Sequence, residues 1–215
     1  MKILFLDTSS KISETALFEN DIKIFHSILK DSDGADQVVY NLRECFKKFN
    51  IDPSSIDLLS LSNGPGSFTG LRIGSAIAKG ICFVNGSEFI EIPTLDILAN
   101  IVPSENNITS LIPSNPKTAE FYFAKYEKNG KDLNRTSDLG FGNLHDILKN
   151  ESKFIIKKEA LQYIPESFQS KFYEYSDEAI MKSQYDLTLK KVSDNDFSNV
   201  ENSTPVYLRQ FIPKN

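Results

Sequence analysis

A glycine-rich run between a predicted strand and a predicted helix constrains the fold of this chain more than any other feature. The run consists of Gly64, Pro65, Gly66, Ser67, Phe68, Thr69 and Gly70. It follows an apolar strand pattern at 57–62 and precedes a helix pattern at 71–85. Glycines at such a junction permit positive φ and close approach of the backbone to a neighbouring group. The sequence therefore predicts an α/β fold, with this loop serving either as a tight structural turn or as a phosphate-binding loop.

Two nucleotide-binding motifs do not match the loop. A P-loop needs Gly-Lys-Ser/Thr, whereas the Gly-Lys pair of this chain, Gly130-Lys131, is followed by Asp132. A dinucleotide fingerprint needs a third glycine three residues after Gly66, whereas the next glycine is Gly70. The pattern excludes a P-loop and disfavours a dinucleotide site.

Strand and helix patterns around the loop predict two lobes. The strand patterns lie at 2–6, 14–18, 22–29, 57–62, 89–92 and 121–126. The helix patterns lie at 36–49, 71–85, 94–101 and 177–191. The first three strands form an antiparallel meander with a hairpin turn at 19–21. Pro, Ser and Asn near 103–107 predict a boundary, so that 1–104 form one lobe and 105–215 the other.

Charge and cysteine usage restrict the classes of function. The 215 residues carry 24 basic and 29 acidic side chains, for a net charge of −5. This balance disfavours tight, direct binding of tRNA or DNA by the chain alone. Cys45 and Cys82 sit in apolar helix patterns, which predicts reduced thiols and a cytoplasmic protein. No apolar run approaches the roughly 18 residues that a membrane span needs.

The helix pattern at 71–85 is apolar or small on two faces. One face holds Ile73, Ile77, Gly80 and Val84. The nearly opposite face holds Leu71, Ser75, Ala78 and Cys82. A helix that covers a sheet needs only one such face. We therefore expect the second face, with its small residues, to be buried by the other lobe or by another chain, and we favour another chain.

Few residues offer catalytic chemistry. Asp7 and Thr8 end the first strand, where they either hold a magnesium-phosphate group or hydrogen-bond their own backbone turn. His26 and His145 are the only histidines, and their spacing fits no zinc-peptidase motif. A Gly-x-Ser-x-Gly elbow is absent from the sequence, so we identify no residues for nucleophilic hydrolysis.

Three motifs together resemble the bacterial TsaB (YeaZ) family. They occupy residues 3–9, 64–74 and 205–209, and read ILFLDTS, GPGSFTGLRIG and PVYLR. The resemblance implies an actin-like two-lobed fold of the ASKHA (RNase H-like) class, with mixed sheets flanked by helices. It also implies a non-catalytic scaffold subunit in the synthesis of threonylcarbamoyladenosine in tRNA.

The resemblance further implies a set of partners. A TsaD-like catalytic subunit forms the heterodimer, a TsaE-like ATPase joins it, and a TsaC-like enzyme makes the adenylate that TsaD consumes. Alone, the chain is expected to form a homodimer. Transfer RNA is reached only through the complex, no cofactor is bound tightly, and ATP or ADP is expected at the partner junction.

In that family a helical bundle forms the dimer surface. The corresponding interface residues here are Leu71, Arg72, Ser75, Ala78, Cys82, Tyr40 and Arg43. The main rival interpretation is an enzyme of the same fold, either an ATP-using enzyme or a peptidase-like hydrolase, with Asp7 and Thr8 as its phosphate site. A third is a freestanding homodimer that uses the same helix face.

Overall fold

The computed structural model describes residues 1–30, 34–115, 118–150 and 152–206, and these residues form two compact units. The first unit comprises 1–94 and 181–205, and the second 95–180 with the residue at 206. The sequence-based division at 104 differs from this, because the chain returns to the first unit after 180. Of the motif at 205–209, residues 207–209 lie outside the described residues.

A mixed five-stranded sheet forms the centre of the first unit, in the order β3-β2-β1-β4-β5. Its strands are β1 (Lys2–Asp7), β2 (Ser13–Glu19), β3 (Ile22–Leu29), β4 (Leu58–Ser62) and β5 (Glu88–Ile92). β1, β4 and β5 run parallel, whereas β2 and β3 are antiparallel to their neighbours. The β2–β3 hairpin turns through Asn20 and Asp21, both at positive φ, as the sequence predicts.

Helices cover both faces of this sheet. They are α1 (Ala35–Lys48), α2 (Phe68–Asn85) and α6 (Ala179–Ser193). Leu4 and Leu6 of β1 point to the core beneath α1 and α2. Phe5, between them, points to the other face, where its ring lies 5.8 Å from that of Tyr185 in α6. The strand is apolar from Ile3 to Leu6 because both of its faces are buried.

The second unit has its own five-stranded sheet, in the order β10-β6-β7-β8, with β9 paired to β7. Its strands are β6 (Glu105–Asn115), β7 (Glu120–Asn129), β8 (Asp132–Arg135), β9 (Gly140–Asn143) and β10 (Lys153–Ile156). Its helices are α3 (Thr94–Ile101), α4 (Leu144–Ile147) and α5 (Glu166–Gln169). The Tyr126 hydroxyl donates to Asp96 at 2.7 Å, which ties β7 to α3.

Candidate functional site

The glycine-rich loop is a structural connection that packs against the turn after β1. Ser67 N–H donates to Ser9 O at 2.7 Å, and the Thr8 hydroxyl donates to Gly70 O at 2.8 Å. A Cβ on Gly66 would overlap the Ser9 carbonyl oxygen, and one on Gly70 would overlap that of Thr8. These glycines are therefore required for close packing of two backbone segments.

The Asp7–Ser9 turn satisfies its own polar groups. Asp7 is fully buried, and its Oδ1 accepts hydrogen bonds from Ser9 N–H at 2.9 Å and from the Ser9 hydroxyl at 2.7 Å. The Thr8 hydroxyl is engaged with the glycine-rich loop. These bonds fit the alternative in which Asp7 and Thr8 serve their own turn, and their assignment as a phosphate site stays a prediction.

The histidines occupy structural positions. His26 Nε2 lies 3.0 Å from Glu14 Oε2, and both side chains are nearly buried. His145 lies in the short helix α4, where its N–H donates to the Asn143 side chain. Within the described ranges, no three His, Cys, Asp or Glu side chains are grouped to hold a metal ion.

Helix α2 buries the face that was expected to contact a partner. Ala78 and Cys82 belong to the core between the helix and the sheet, and Leu71 and Ser75 are buried beside them. The interface assignment of these four residues is therefore wrong for this chain. The physical reason is size, because Gly74, Ser75 and Ala78 allow the helix axis to approach the sheet closely. Among the other assigned residues, Tyr40, Arg43 and Arg72 are exposed.

The opposite part of α2 is the one left uncovered. Phe83 and Val84 are 87% and 80% exposed, and a Cβ on Gly80 would meet nothing within 4 Å. Ile73 and Ile77 are half-buried. The face that was expected to lie on the sheet is thus uncovered at Gly80 and Val84, whereas its Ile77 packs at the edge of the core.

Helix α1 continues this exposed region. On one flank, Asn41 Nδ2 donates to Ser27 Oγ of β3 at 2.9 Å, which fixes that flank against the strand. The outer side presents Val39 and Tyr40, which are 50% and 63% exposed. We define the α1–α2 surface by its exposed members, which are Val39, Tyr40, Arg43, Gly80, Phe83 and Val84. Exposed apolar residues on two helices of one unit are typical of a protein interaction site.

Each of the two units is a mixed five-stranded sheet with flanking helices, which defines an α/β protein. The model of the family described as TsaD, tRNA N6-adenosine threonylcarbamoyltransferase, matches residues 35–207. That match covers most of the chain, so the chain belongs to this family, and its relatives place it among the TsaB (YeaZ) homologues.

The TsaB relatives are similar over part of their length. The tRNA threonylcarbamoyladenosine biosynthesis protein TsaB of Escherichia coli is 26% identical over 130 residues, which is 60% of this chain and 56% of that protein. TsaB of Haemophilus influenzae is 29% identical over 46% of this chain and 41% of that protein. The chain therefore spans about half the length of the curated relatives that it matches.

A solved structure supports the fold over nearly the whole chain. YeaZ from Pseudomonas aeruginosa superposes with a TM-score of 0.72 and 17% identity, covering 96% of this chain and 100% of that one. In the described part of this chain, no helix is both long and apolar enough to cross a bilayer.

Proposed function

We propose that this chain is a non-catalytic scaffold subunit required for N6-threonylcarbamoyladenosine modification of tRNA. In this proposal it dimerises with a TsaD-like catalytic subunit through the α1–α2 surface and supports that subunit in its active arrangement. The observation that carries the proposal is the exposed apolar outer face of α1 and α2. Membership of the TsaD family and the names of the TsaB relatives supply the reaction.

The self-satisfied turn at Asp7 and Thr8 favours a scaffold over an enzyme. An ATP-using enzyme of this fold, or a hydrolase that uses the same turn, needs polar groups that face a substrate. Here those groups hydrogen-bond one another and the glycine-rich loop. We therefore assign the threonylcarbamoyl transfer to the partner.

The remaining partners follow from this assignment. A TsaE-like ATPase joins the heterodimer, and a TsaC-like enzyme supplies the adenylate in the cytoplasm. Any ATP or ADP is held at the junction with the partner, and the chain alone binds no cofactor tightly. The net charge of −5 supports recruitment of tRNA through the complex. In the absence of TsaD, the same surface forms a homodimer.

The test is size-exclusion chromatography with light scattering, on this chain alone and mixed with the TsaD-like protein from the same source. We expect a one-to-one complex to replace any homodimer. Val84→Asp places a charge on the exposed surface and should weaken the complex about tenfold or more. The matched control is Ile22→Asp, a substitution at another strongly exposed apolar residue, in β3, which should bind like the wild type.

Reconstituted tRNA modification provides the functional readout. Omitting the chain, or supplying it as Val84→Asp, should abolish or sharply reduce threonylcarbamoyladenosine formation, whereas Ile22→Asp should support it. ATP turnover by the pure chain that Asp7→Ala abolishes would overturn the proposal in favour of an enzyme.

A further inference from the structure

The charges around the α1–α2 surface are mostly positive, in contrast to the net charge of the chain. Helix α2 contains Arg72 and Lys79 but no Asp or Glu. The exposed side of α1 contributes Arg43 and Lys47. With a net charge of −5 over the whole chain, this local excess of cations is a specific feature of the surface.

A groove at the end of α1 combines these cations with apolar walls. Its volume is about 350 Å³, and its lining residues are Arg43, Phe46, Lys47, Asn50, Ile51 and Pro53. Ile51 N–H donates to Phe46 O at 2.8 Å, and Asn85 Nδ2 of α2 donates to Pro53 O at 2.7 Å. These bonds hold the chain after α1 against both helices, so the groove is built from the same elements as the α1–α2 surface.

Arg43 in the groove and Lys79 on α2 can pair with the carboxylates of a partner. Among the described residues, neither the guanidinium of Arg43 nor the ammonium of Lys79 has a carboxylate within ion-pair distance. Lys47 pairs with Glu44 of its own helix at 3.3 Å, with both side chains about half exposed. An exposed pair of this kind contributes little and exchanges readily for a better one.

We propose that the α1–α2 surface recognises a protein partner whose matching surface is acidic as well as apolar. An apolar anchor of the partner enters the groove against Phe46 and Ile51, and neighbouring Asp or Glu side chains pair with Arg43 and Lys47. Carboxylates suit the guanidinium fork of Arg43 in particular. The inference rests on the proposed function, since it takes the TsaD-like subunit as that partner.

The same charges disfavour a second copy of this chain. A two-fold homodimer uses one patch twice, so a surface rich in cations faces itself. Like charges brought together at an interface oppose association, whereas complementary charges speed encounter and select the partner. The surface therefore favours the heterodimer over the homodimer through electrostatics, in addition to shape.

Salt dependence tests this inference because the heterodimer should weaken as salt rises, whereas the homodimer should not. We would measure dissociation constants by sedimentation velocity between about 0.05 M and 0.5 M salt, over which screening shortens from more than 10 Å to a few ångströms. Affinity for the TsaD-like protein should fall about tenfold as salt rises. Self-association of this chain should stay constant or strengthen.

Charge-reversal variants provide a second test of the acidic-partner inference. Arg43→Glu combined with Lys47→Glu should weaken the complex with the TsaD-like protein about tenfold or more at low salt, and should flatten its salt dependence. Lys47→Arg with Arg43 retained keeps both charges and the Arg43 guanidinium, and should stay within about threefold of wild type. Lys131→Glu reverses an exposed cation on the second unit and should leave binding unchanged. Circular dichroism checks that each variant is folded.

The outcomes separate this inference from the proposed function. A complex that forms with wild-type affinity after charge reversal, or whose affinity does not change with salt, overturns the acidic-partner inference and leaves the scaffold proposal standing. A homodimer that weakens with salt as steeply as the heterodimer also overturns it. No complex with the TsaD-like protein at any salt concentration overturns both.

Discussion

Helix α2 has an inner face of small residues and an outer face with bulky apolar ones. Hydrophobicity alone would place the bulky apolar face on the sheet, which is the reverse of the observed arrangement. The inner face, which packs on the sheet, includes Gly74, Ser75 and Ala78 and is made largely of small residues. The outer face carries Phe83 and Val84, which are bulky, apolar and almost fully exposed. Small side chains mark the face that approaches the sheet closely, whereas bulky exposed ones mark the face to which we assign a partner in the proposed function.

The largest expected effect comes from a charge on the inner face. Ala78→Arg forces a long cationic side chain into a fully buried position, where it has neither room nor a partner. We expect a loss of about 4 kcal/mol or more in the free energy of unfolding, which approaches the stability of an ordinary domain. Urea denaturation followed by circular dichroism measures the effect.

Ala76→Arg is the matched control for that substitution. Ala76 lies on the same helix but is exposed, so its replacement should change stability by no more than about 0.5 kcal/mol. If Ala78→Arg remained as stable as Ala76→Arg, Ala78 would belong to an intermolecular surface and the assignment of the two faces would be reversed.

The next effect concerns the glycines that set the position of α2. A methyl group on Gly70 would overlap the Thr8 carbonyl, so Gly70→Ala should move the loop away from β1 and cost about 2–3 kcal/mol. Gly80→Ala fills open space on the outer face and should stabilise the helix by about 1 kcal/mol. Equal effects of the two substitutions in thermal melts would contradict the role of the loop in close packing.

The local parts of this fold could be predicted from the sequence. Asn20 and Asp21 between two strand patterns predict a hairpin, and it forms with both residues at positive φ. The glycine-rich run between a strand pattern and a helix pattern likewise predicts the loop that connects β4 to α2. In each case the determining residues are neighbours along the chain, so short-range patterns are sufficient.

Which face of α2 packs on the sheet, and where α6 lies, depend on contacts between residues that are distant in sequence. Local sequence patterns could not predict these two features. Both faces of α2 are apolar or small, and the choice between them depends on Gly70 and Gly74 fitting against Thr8. In α6, the buried Gln184 amide donates to Ser60 O at 3.1 Å across 124 positions. From the sequence alone a glutamine is expected to be exposed to solvent, because its distant hydrogen-bond acceptor cannot be identified from neighbouring residues.

The smallest effect we predict is a loss of stability at alkaline pH that originates on the inner face of α2. Burial and, to a smaller extent, the nearby Glu88 carboxylate together raise the pKa of the Cys82 thiol from 9.0 to about 11. The folded chain therefore keeps this thiol protonated where the unfolded chain has lost the proton. Its contribution is complete below about pH 9 and is lost as the pH rises toward 11.

Denaturation of wild type and Cys82→Ala at several pH values isolates this contribution. The two stabilities should converge by about 1 kcal/mol between pH 8 and pH 10, because only the wild type has a thiol to ionise at this position. Cys45→Ala serves as the control, since Cys45 is only partly buried and its replacement should shift the curve less. A parallel pair of curves for wild type and Cys82→Ala would mean that the thiol is open to water, and hence that the inner face of α2 is not packed on the sheet in solution.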